Sequence, residues 1–444
     1  NVETVNIDGT DTAANGGAAA INTMTLTAAA ATKVAVTGNN GLNLTATSSA
    51  AIVDFDASAV VGNSTTARAN VAATTDSAAN LAVTYTSLNA TANAAVSIKG
   101  GAGNDTLSGS AAAVNVDTIS GGAGDDTIQG GSGADVLDGG ANSATGGDTV
   151  TYADVTAATS HGLTNLSGMA INLGATDVVQ GTIASAMGGT VVIGGGAGVA
   201  GSALAAGTVG YLSTTAANST ATMVRDTVTN FEKVIGSGLA DYINGSAGAD
   251  TITGGLGADY ITGGAGADNF VFTSGLTTDT ISDFVAGTDN AHISVSALET
   301  AGASIAATTL DLVELQDASA TAASDTIVVQ EVADQAAGAA VAAGAGANIF
   351  VLLGETYASV GAMVDGIETG DHELTTAAGV DVDDAFFVVW SDATNAYLSI
   401  VSVDSGGTAD FAAGELVGQN LGILDANAAI AAGEYVAGDF AFIA

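Results

Sequence analysis

The sequence predicts an all-β chain, namely a right-handed parallel β-solenoid with two glycine-rich β-roll blocks, followed by a C-terminal mixed β/α region. Three observations support this prediction. A nine-residue register of glycine and aspartate recurs in two blocks, the residues before the first block alternate like short strands, and proline is absent. Alanine supplies much of the 47% hydrophobic fraction, which suits thin packed layers better than a thick core.

The first predicted element, residues 1–99, is a series of short strands separated by Asn, Gly, Asp and Ser turns. The strand-like segments are VETVNI, MTLTA, KVAVTG, LNLTA, AIVDFDAS, LAVTYTS and AVSIKG. Segments of this kind without helical periodicity fit either the stacked coils of a solenoid or a β-sandwich. We favour the solenoid because Val96 to Gly100 leads into the first glycine-rich turn without a linker.

The first β-roll block, residues 100–151, consists of five units. Three keep the nine-residue length, as GGAGNDTLS, GGAGDDTIQ and GGSGADVLD. The unit from Gly109 carries three extra residues before Asp117, and the unit from Gly139 carries four before Asp148. In each unit the first part is expected to form a tight turn, where glycine permits positive φ, and the last three residues a strand whose middle residue points inward.

Residues 152–235 interrupt the roll as an excursion that ends in DTVTNFEKVIGSGLADYIN, where the roll is expected to resume. The stretch 178–224 carries no charged residue and is rich in Gly, Ala, Ser and Thr. Because it contains few Leu, Ile or Phe residues, we expect a buried or subunit-facing excursion and no membrane insertion.

The second block, residues 236–293, contains GSAGADTIT, GGLGADYIT and GGAGADNFV in uninterrupted succession. The last region, residues 294–444, is predicted to mix two helices, near Glu331–Ala343 and Tyr357–Glu368, with strands in FFVVWSD, AYLSIVSVD and ADFAAGEL. Across both blocks the residues expected to point inward are Leu107, Ile119, Ile128, Leu137, Val150, Ile252, Ile261 and Phe270.

Charge narrows the class of partner. Five basic residues face 46 acidic ones, which gives a formal net charge of −41. Repulsion on this scale opposes compaction unless cations bind, so the charge itself favours a divalent metal. It argues against nucleic acid, whose binding needs clustered Lys and Arg. The chain has no cysteine and therefore forms no disulfide.

The sixth position of each nonapeptide places a carboxylate beside turn carbonyls, an all-oxygen set that suits a hard cation such as Ca²⁺. Two nonapeptides make one coil, so the turns at one edge belong to alternate repeats, and each ion is expected between successive turns. An isolated aspartate here would more often be an Asx-turn residue that bonds its own backbone, but the register favours ligation. The predicted pairs are Asp105 with Asp126, Asp126 with Asp148, Asp117 with Asp135, Asp241 with Asp259, and Asp250 with Asp268.

The register G-G-x-G-x-D-x-U-x is that of RTX calcium-binding repeats, and the chain resembles secreted RTX proteins exported by type I systems. The resemblance also rests on the joining phrase DTVTNFEKVIGS, the transition block around Asp279 and Asp283, and the ending DFAFIA. It implies that these two aspartates close the last sites and that a type I secretion exporter recognises the tail. The candidate calcium ligands are then Asp105, Asp117, Asp126, Asp135, Asp148, Asp241, Asp250, Asp259, Asp268, Asp279 and Asp283.

The segments VETVNI, VAVTGNNGLNLT and FDASAV, which lead into the calcium turns, resemble the crystalline part of Caulobacter-type S-layer proteins. Those proteins are acidic, cysteine-free, calcium-dependent lattice formers. The resemblance implies a secreted surface-layer (S-layer) subunit that assembles with copies of itself outside a Gram-negative cell. Attachment to surface polysaccharide would use calcium or an upstream domain. The chain starts with NVETVNI, without a Met or a signal peptide, and we expect further residues before Asn1.

Two alternative functions are weighed against this one. A secreted RTX adhesin or extracellular-matrix protein would share every calcium feature, although adhesins usually carry long arrays of near-identical domains. An enzyme is not predicted, because His161, His292 and His372 are far apart, neither HExxH nor GxSxG occurs, and thiol catalysis is impossible without cysteine. Trp390 is expected in the core, and the acidic runs at 371–373 and 381–384 in solvated loops.

Overall fold

Strands dominate the structure, a computed structural model, and the chain divides into two compact units, Asn1–Tyr242 and Ile243–Ala444. The residues that the structure describes are 3–10, 21–62, 77–91, 94–110, 115–142, 146–159, 165–188, 191–193, 203–213, 226–273, 277–294, 311–312, 327–333, 341–342, 347–370, 372–375, 384–403, 414–425 and 429–443.

Where it is described, the first unit consists of short strands, one short α-helix and a 3₁₀ turn at Ala78–Asn80. In chain order the elements are β1 Thr4–Gly9, β2 Asn22–Thr27, β3 Lys33–Gly38, β4 Leu42–Thr47, β5 Asp54–Val60, β6 Val83–Thr86, β7 Ser97–Lys99, β8 Thr106–Ser108, β9 Thr118–Ala123, β10 Thr127–Gln129, β11 Val136–Ala141, β12 Thr149–Thr151, β13 Leu166–Asn172, β14 Val178–Val179, α1 Gln180–Ala186, β15 Val192–Ile193, β16 Ala203–Leu204, β17 Thr208–Ser213, β18 Asp226–Thr229 and β19 Lys233–Ile235.

These strands alternate between two parallel sheets. Strands β1, β3, β5, β7, β9, β11 and β18 pair in that order, and β2, β4, β6, β8, β10, β12 and β19 pair in the other sheet. Two successive strands therefore complete one coil, as predicted. The described residues of 1–99 form the first coils of the same stack, which agrees with the solenoid interpretation, and a strand occurs in each of the seven predicted segments.

The core of this stack is a pair of apolar columns, one from each sheet. Each three-residue strand buries its middle residue and leaves its neighbours partly exposed, because successive side chains of a strand point to opposite faces. All eight residues predicted to point inward are buried, with at most 2% of their surface exposed. The columns are Ile98, Ile119, Leu137 and Val228 in one sheet, and Tyr85, Leu107, Ile128, Val150 and Val234 in the other.

The excursion inserts an antiparallel segment beside the roll. Strand β17 runs antiparallel to β18, and β13 runs antiparallel to β17, so the hairpin-like pair extends the sheet that contains β11. The short helix α1 buries Ile183. Among the described residues no helix is long and apolar enough to cross a membrane.

The described part of the second unit consists of strands, one longer helix and a 3₁₀ turn at Ala437–Asp439. Its elements are β20 Tyr242–Asn244 (which begins at the last residue of the first unit), β21 Thr251–Thr253, β22 Tyr260–Thr262, β23 Asn269–Phe272, β24 Asp279–Ile281, β25 Asn290–Ser294, β26 Asp311–Leu312, β27 Val329–Ala333, β28 Val341–Ala342, β29 Ile349–Leu353, α2 Val360–Thr369, β30 Leu374–Thr375, β31 Asp384–Ser391, β32 Ala396–Val403, β33 Leu416–Asp425 and β34 Phe440–Ile443.

The roll of the second unit again uses two parallel sheets. Strands β21, β23, β25 and β34 stack in one, and β22, β24 and β33 in the other. Phe440–Ile443, within the ending DFAFIA, thus supplies the strand that pairs with β25. Beyond β33 the sheet continues through β32, β31, β29 and β27, and α2 packs on it around Met363, Ile367 and Trp390. Ser359 caps α2 by accepting a hydrogen bond from the Ala362 N–H.

Two predictions for the C-terminal region meet different outcomes. The helix predicted near Tyr357–Glu368 is confirmed as α2, whereas the helix near Glu331–Ala343 is wrong where the structure describes it. Residues 329–333 and 341–342 are strands, and Val332 is fully buried opposite Leu352 of β29. Long-range parallel pairing overrides the local helix preference of this Ala-rich stretch. Residues 334–340, and most of the segment ADFAAGEL, lie outside the described residues.

Candidate metal sites

The sixth-position aspartates of the first unit form two ladders, one at each edge where the turns stack. In both ladders Oδ1 of one aspartate accepts a hydrogen bond from the backbone N–H of the aspartate one coil earlier. The N–O distances are 2.7 Å from Asp105 to Asp126, 2.7 Å from Asp126 to Asp148, and 2.9 Å from Asp117 to Asp135. The structure therefore brings together the predicted partners, including the two pairs that depend on longer loops.

Both ladders continue beyond the predicted residues. At their start, Oδ1 of Asp105 accepts from the Val83 N–H (2.7 Å) and Oδ1 of Asp117 from the Val96 N–H (3.1 Å). At their other end, Glu232 accepts from the Asp148 N–H (3.0 Å) and Asp226 from the Asp135 N–H (2.9 Å). The N-terminal coils and the end of the excursion thus extend both hydrogen-bonded edges of the glycine-rich block.

The second unit carries equivalent ladders. Asp268 accepts from the Asp250 N–H (2.9 Å), Asp289 from the Asp268 N–H (3.0 Å), and Asp279 from the Asp259 N–H (3.0 Å). All five residues have at most 6% of their surface exposed. The ladder geometry is therefore the same in both units, although the second unit lacks a long insertion between its rungs.

The turns occur in two forms that differ at the second residue. Where this residue is Gly101, Ser110 or Ser246, its N–H donates to Oδ2 of the aspartate in the same turn at 2.6 Å. Where it is Gly122, Gly131 or Gly140, its φ is +114°, +87° or +111°, a region that L-residues avoid. The aspartates of these three turns are Asp126, Asp135 and Asp148, and in each of them Oδ2 is buried without a hydrogen-bond partner.

The first glycine of each turn lets the carboxylate lie directly over the backbone. A Cβ at Gly121 would lie 2.1 Å from Oδ2 of Asp126, and one at Gly130 would lie 2.6 Å from Oδ2 of Asp135. The carbonyls of the adjacent coil are equally close, since a Cβ at Gly131 would meet the Ser110 oxygen at 2.2 Å. Carboxylate and carbonyl oxygens therefore crowd each turn, and any side chain would displace them.

Burial makes the charged form of these carboxyl groups costly. It raises the pKa of Asp126 and of Asp135 to about 8, with further contributions from neighbouring carboxylates in each ladder. Burial also raises the pKa of Asp105 to about 7 and that of Asp148 to about 6, although backbone hydrogen bonds oppose the shift. Stacked aspartates of this kind need either protons or cations to neutralise them.

The donor set fits Ca²⁺ rather than a softer metal. Within the described residues, no group of three or more His, Cys, Asp or Glu side chains is arranged to hold a metal. Each candidate site instead offers two carboxylates from successive turns together with backbone carbonyls, and oxygen-only sets of this kind bind hard cations. The buried oxygens of Asp126, Asp135 and Asp148 that lack partners are the observation that points to an ion.

Two predicted ligands, Asp241 and Asp283, need separate comment. Asp241 is fully buried, but its Oδ1 accepts from the Met169 N–H (2.6 Å) of the excursion and its other oxygen from the Ser237 N–H. Its predicted pairing with Asp259 would join the two units and stays a prediction. Asp283 is not a ladder residue: it is half-buried and accepts from the N–H groups of Gly263 and Gly264, both at 2.9 Å, in the turn that carries Asp268.

Three acidic ladder residues were not predicted as ligands, namely Asp226, Glu232 and Asp289. Each stands two residues before a buried Val or Ala, the same offset as in the repeats. Asp289 also follows a glycine by two residues. The two-residue offset from acidic to apolar residue was therefore present in the sequence, but the full glycine turn that precedes it in the repeats was missing.

The parallel two-sheet coil, the aspartate ladders and the glycine turns together define a calcium-binding β-roll protein. A family model described as the RTX calcium-binding nonapeptide repeat matches residues 95–113, 115–145 and 235–270, in four copies. The chain thus carries RTX-type calcium-binding repeats in both predicted blocks, and proteins with such repeats are typically secreted. A search of curated proteins gave no match to the chain.

Proposed function

We propose that this protein is a structural surface-layer subunit that self-assembles in a calcium-dependent manner outside a Gram-negative cell. The observation that carries the proposal is the direct stacking of the N-terminal coils on the calcium turns, through Val83 to Asp105 and Val96 to Asp117. A calcium-ordered coil that continues without a linker supplies a stiff building block. We also propose that the solenoid is right-handed, because parallel β-crossovers are right-handed in about 98% of cases.

Pairs of ladder carboxylates would hold the ions, with the turn carbonyls as further ligands. The bound calcium supplies positive charge between carboxylates that otherwise repel. Without it, the blocks should be far less stable, because glycine-rich turns lose much conformational entropy on folding and protons must neutralise the ladder carboxylates instead. At the low calcium of a cytoplasm the chain would stay exportable by a type I secretion exporter. At roughly millimolar calcium outside the cell, weak extracellular-class sites would fill.

Self-association suits the composition of the excursion. A chain with a net charge of −41 repels its own copies, and the uncharged stretch 178–224 is where two copies could approach at the least electrostatic cost. Calcium between acidic faces would add further contacts, either between copies or to anionic surface polysaccharide.

We propose a non-catalytic role. Among the histidines that the structure describes, His372 is fully buried: its Nε2–H donates to the Leu353 carbonyl at 3.0 Å, and its Nδ1 accepts from the Tyr357 hydroxyl. Trp390 lies in the core as expected, where its Nε1–H donates to Ser399 (2.8 Å). Both residues are thus engaged in packing, while His161 lies outside the described residues.

Negative-stain electron microscopy of the purified chain, with calcium and after chelation, tests the proposal. We expect ordered two-dimensional sheets that disappear with chelator and return on recalcification. Folded but dispersed monomers in calcium would refute the surface-layer role and favour a secreted RTX adhesin or extracellular-matrix protein. The adhesin remains the second candidate because it would share every calcium site.

A further inference from the structure

The two ends of the excursion meet at one buried point. Tyr152 follows β12 directly and Asp226 is the first residue of β18, and both have at most 3% of their surface exposed. The Tyr152 hydroxyl donates to Oδ2 of Asp226 at 3.1 Å across 74 residues of sequence. Neither residue lies in the segments that the RTX repeat model matches, since these end at 145 and resume at 235.

Asp226 occupies the next rung of a calcium ladder. Two bonds join Asp117 to the following repeat: its N–H donates to Oδ1 of Asp135 (2.9 Å), and its carbonyl accepts from the Val136 N–H (2.8 Å). The same two bonds join Asp135 to Asp226 and Thr227, at 2.9 and 2.8 Å. A residue 91 positions later therefore reproduces the contact that a repeat makes 18 positions later.

Within this pair, Asp135 has a carboxylate oxygen that could bind an ion. Asp135 is 1% exposed and its Oδ2 is buried without a hydrogen-bond partner, in a turn whose Gly131 adopts a φ of +87°. The Asp226 carboxylate is the charged group that acts most strongly on Asp135. A second carboxylate, turn carbonyls and an unpartnered buried oxygen form an oxygen-only set for a hard cation.

We propose that Asp135 and Asp226 hold a further calcium ion, and that this ion ties the start and the end of the excursion to the roll. Tyr152 is a positioning residue, because its hydroxyl fixes the orientation of the Asp226 carboxylate. The site rests on calcium binding by the repeats and does not require that the protein form a lattice. Calcium would thus order not only the glycine-rich blocks but also the uncharged segment between them.

Two variants of the full chain separate binding from orientation. Asp226→Asn removes the charge but keeps an oxygen that can accept from the Asp135 N–H, so the ladder hydrogen bond survives. Tyr152→Phe removes only the hydroxyl. Asp177→Asn is the matched control, because it removes the same charge from an exposed position within the excursion.

Calcium stoichiometry by native mass spectrometry and hydrogen–deuterium exchange, with and without calcium, provide the readouts. We expect Asp226→Asn to bind one ion fewer and to lose calcium-dependent protection of residues 165–188 and 203–213, while β8 to β11 keep theirs. Tyr152→Phe should keep the ion number but bind that ion about tenfold more weakly, as loss of an outer-shell partner does. The Asp177→Asn control should match the wild type.

An Asp226→Asn protein with the wild-type number of ions, or with undiminished calcium-dependent protection of the excursion, would overturn the proposal. If that variant does not fold by circular dichroism, Tyr152→Phe decides, and unchanged calcium affinity there would overturn it. Because neither readout depends on sheet formation, failure of this site and failure of the surface-layer proposal are distinguishable.

Discussion

Calcium binding at neutral pH should release protons from the aspartate ladders. The pKa of Asp126 and of Asp135 is raised to about 8, mainly by burial, and that of Asp105 to about 7. Calcium requires the ionised carboxylate, so an ion that enters a ladder must expel the proton that neutralises the metal-free site. The experiment is therefore the addition of calcium, at pH 7 and at pH 9, to protein from which a chelator has removed the metal.

The structure sets the size of the effect. At pH 7 a group with a pKa of about 8 is about nine-tenths protonated, and one with a pKa of about 7 is about half protonated. Full loading of the first block should then release about two protons per chain, chiefly from Asp126 and Asp135. At pH 9 the same groups are almost fully ionised, and the release should fall to roughly 0.2 proton.

Isothermal titration calorimetry in buffers of different ionisation enthalpy measures this release. The apparent binding enthalpy changes linearly with the ionisation enthalpy of the buffer, and the slope gives the number of protons released. Asp126→Asn should lower the slope at pH 7 by about one proton, whereas the exposed Asp177→Asn should leave it unchanged. A slope near zero at pH 7 would refute the reasoning. So would a slope at pH 9 as large as that at pH 7.

Three further predictions concern stability. In chelator, the raised pKa values of Asp105, Asp126, Asp135 and Asp148 mean that the folded state holds more protons than the unfolded state. The stabilisation that these protonated groups contribute is complete below about pH 4 and is lost as the pH rises through about 6 to 8. The urea midpoint should therefore fall from pH 5 to pH 8.5, and a rising midpoint would contradict this. Gly131→Ala would place a Cβ 2.2 Å from the Ser110 carbonyl oxygen, so this variant should have a much lower melting temperature in calcium than the wild type. The control is Gly188→Ala, because φ is also positive at Gly188 but no atom lies within 4 Å of the added Cβ. Equal losses of melting temperature in the two variants would exclude the crowded turn as the cause. Ile128→Ala should lower the free energy of unfolding in calcium by about 2–5 kcal/mol. Val136 is 43% exposed, so Val136→Ala should lower it by at most about 0.5 kcal/mol. An equally small effect of Ile128→Ala would disprove the apolar column.

The repeat geometry was predictable because nine residues contain all the information that one turn and strand need. Leu107 and Ile128 are flanked by polar residues and preceded by an aspartate at a fixed offset, so their burial follows from the local pattern. The ladder pairs followed from the same count, since two strands close one coil. Even the longer loops before Asp117 and Asp148 did not shift the register.

Features that depend on distant partners were not predictable in this way. Val332 lies in a stretch whose composition favours a helix, and its strand state is decided by pairing with Leu352, 20 residues away. The antiparallel pairing of β13 with β17 is likewise not indicated by any sequence repeat. Asp226 and Glu232 kept the acid-to-apolar offset but lost the glycines, so only a search for the offset alone would have found them.

The excursion also makes the roll a natural acceptor for foreign sequence. Tyr152, where the chain leaves the roll, and Asp226, where it rejoins the ladder, are one hydrogen bond apart, and Val228 follows Leu137 in the apolar column without a gap. The coil therefore tolerates a long interruption at this point while its register is preserved. A polypeptide whose own ends lie equally close could replace residues 153–225 and be displayed from the side of the roll, so natural variation and engineering should both concentrate here.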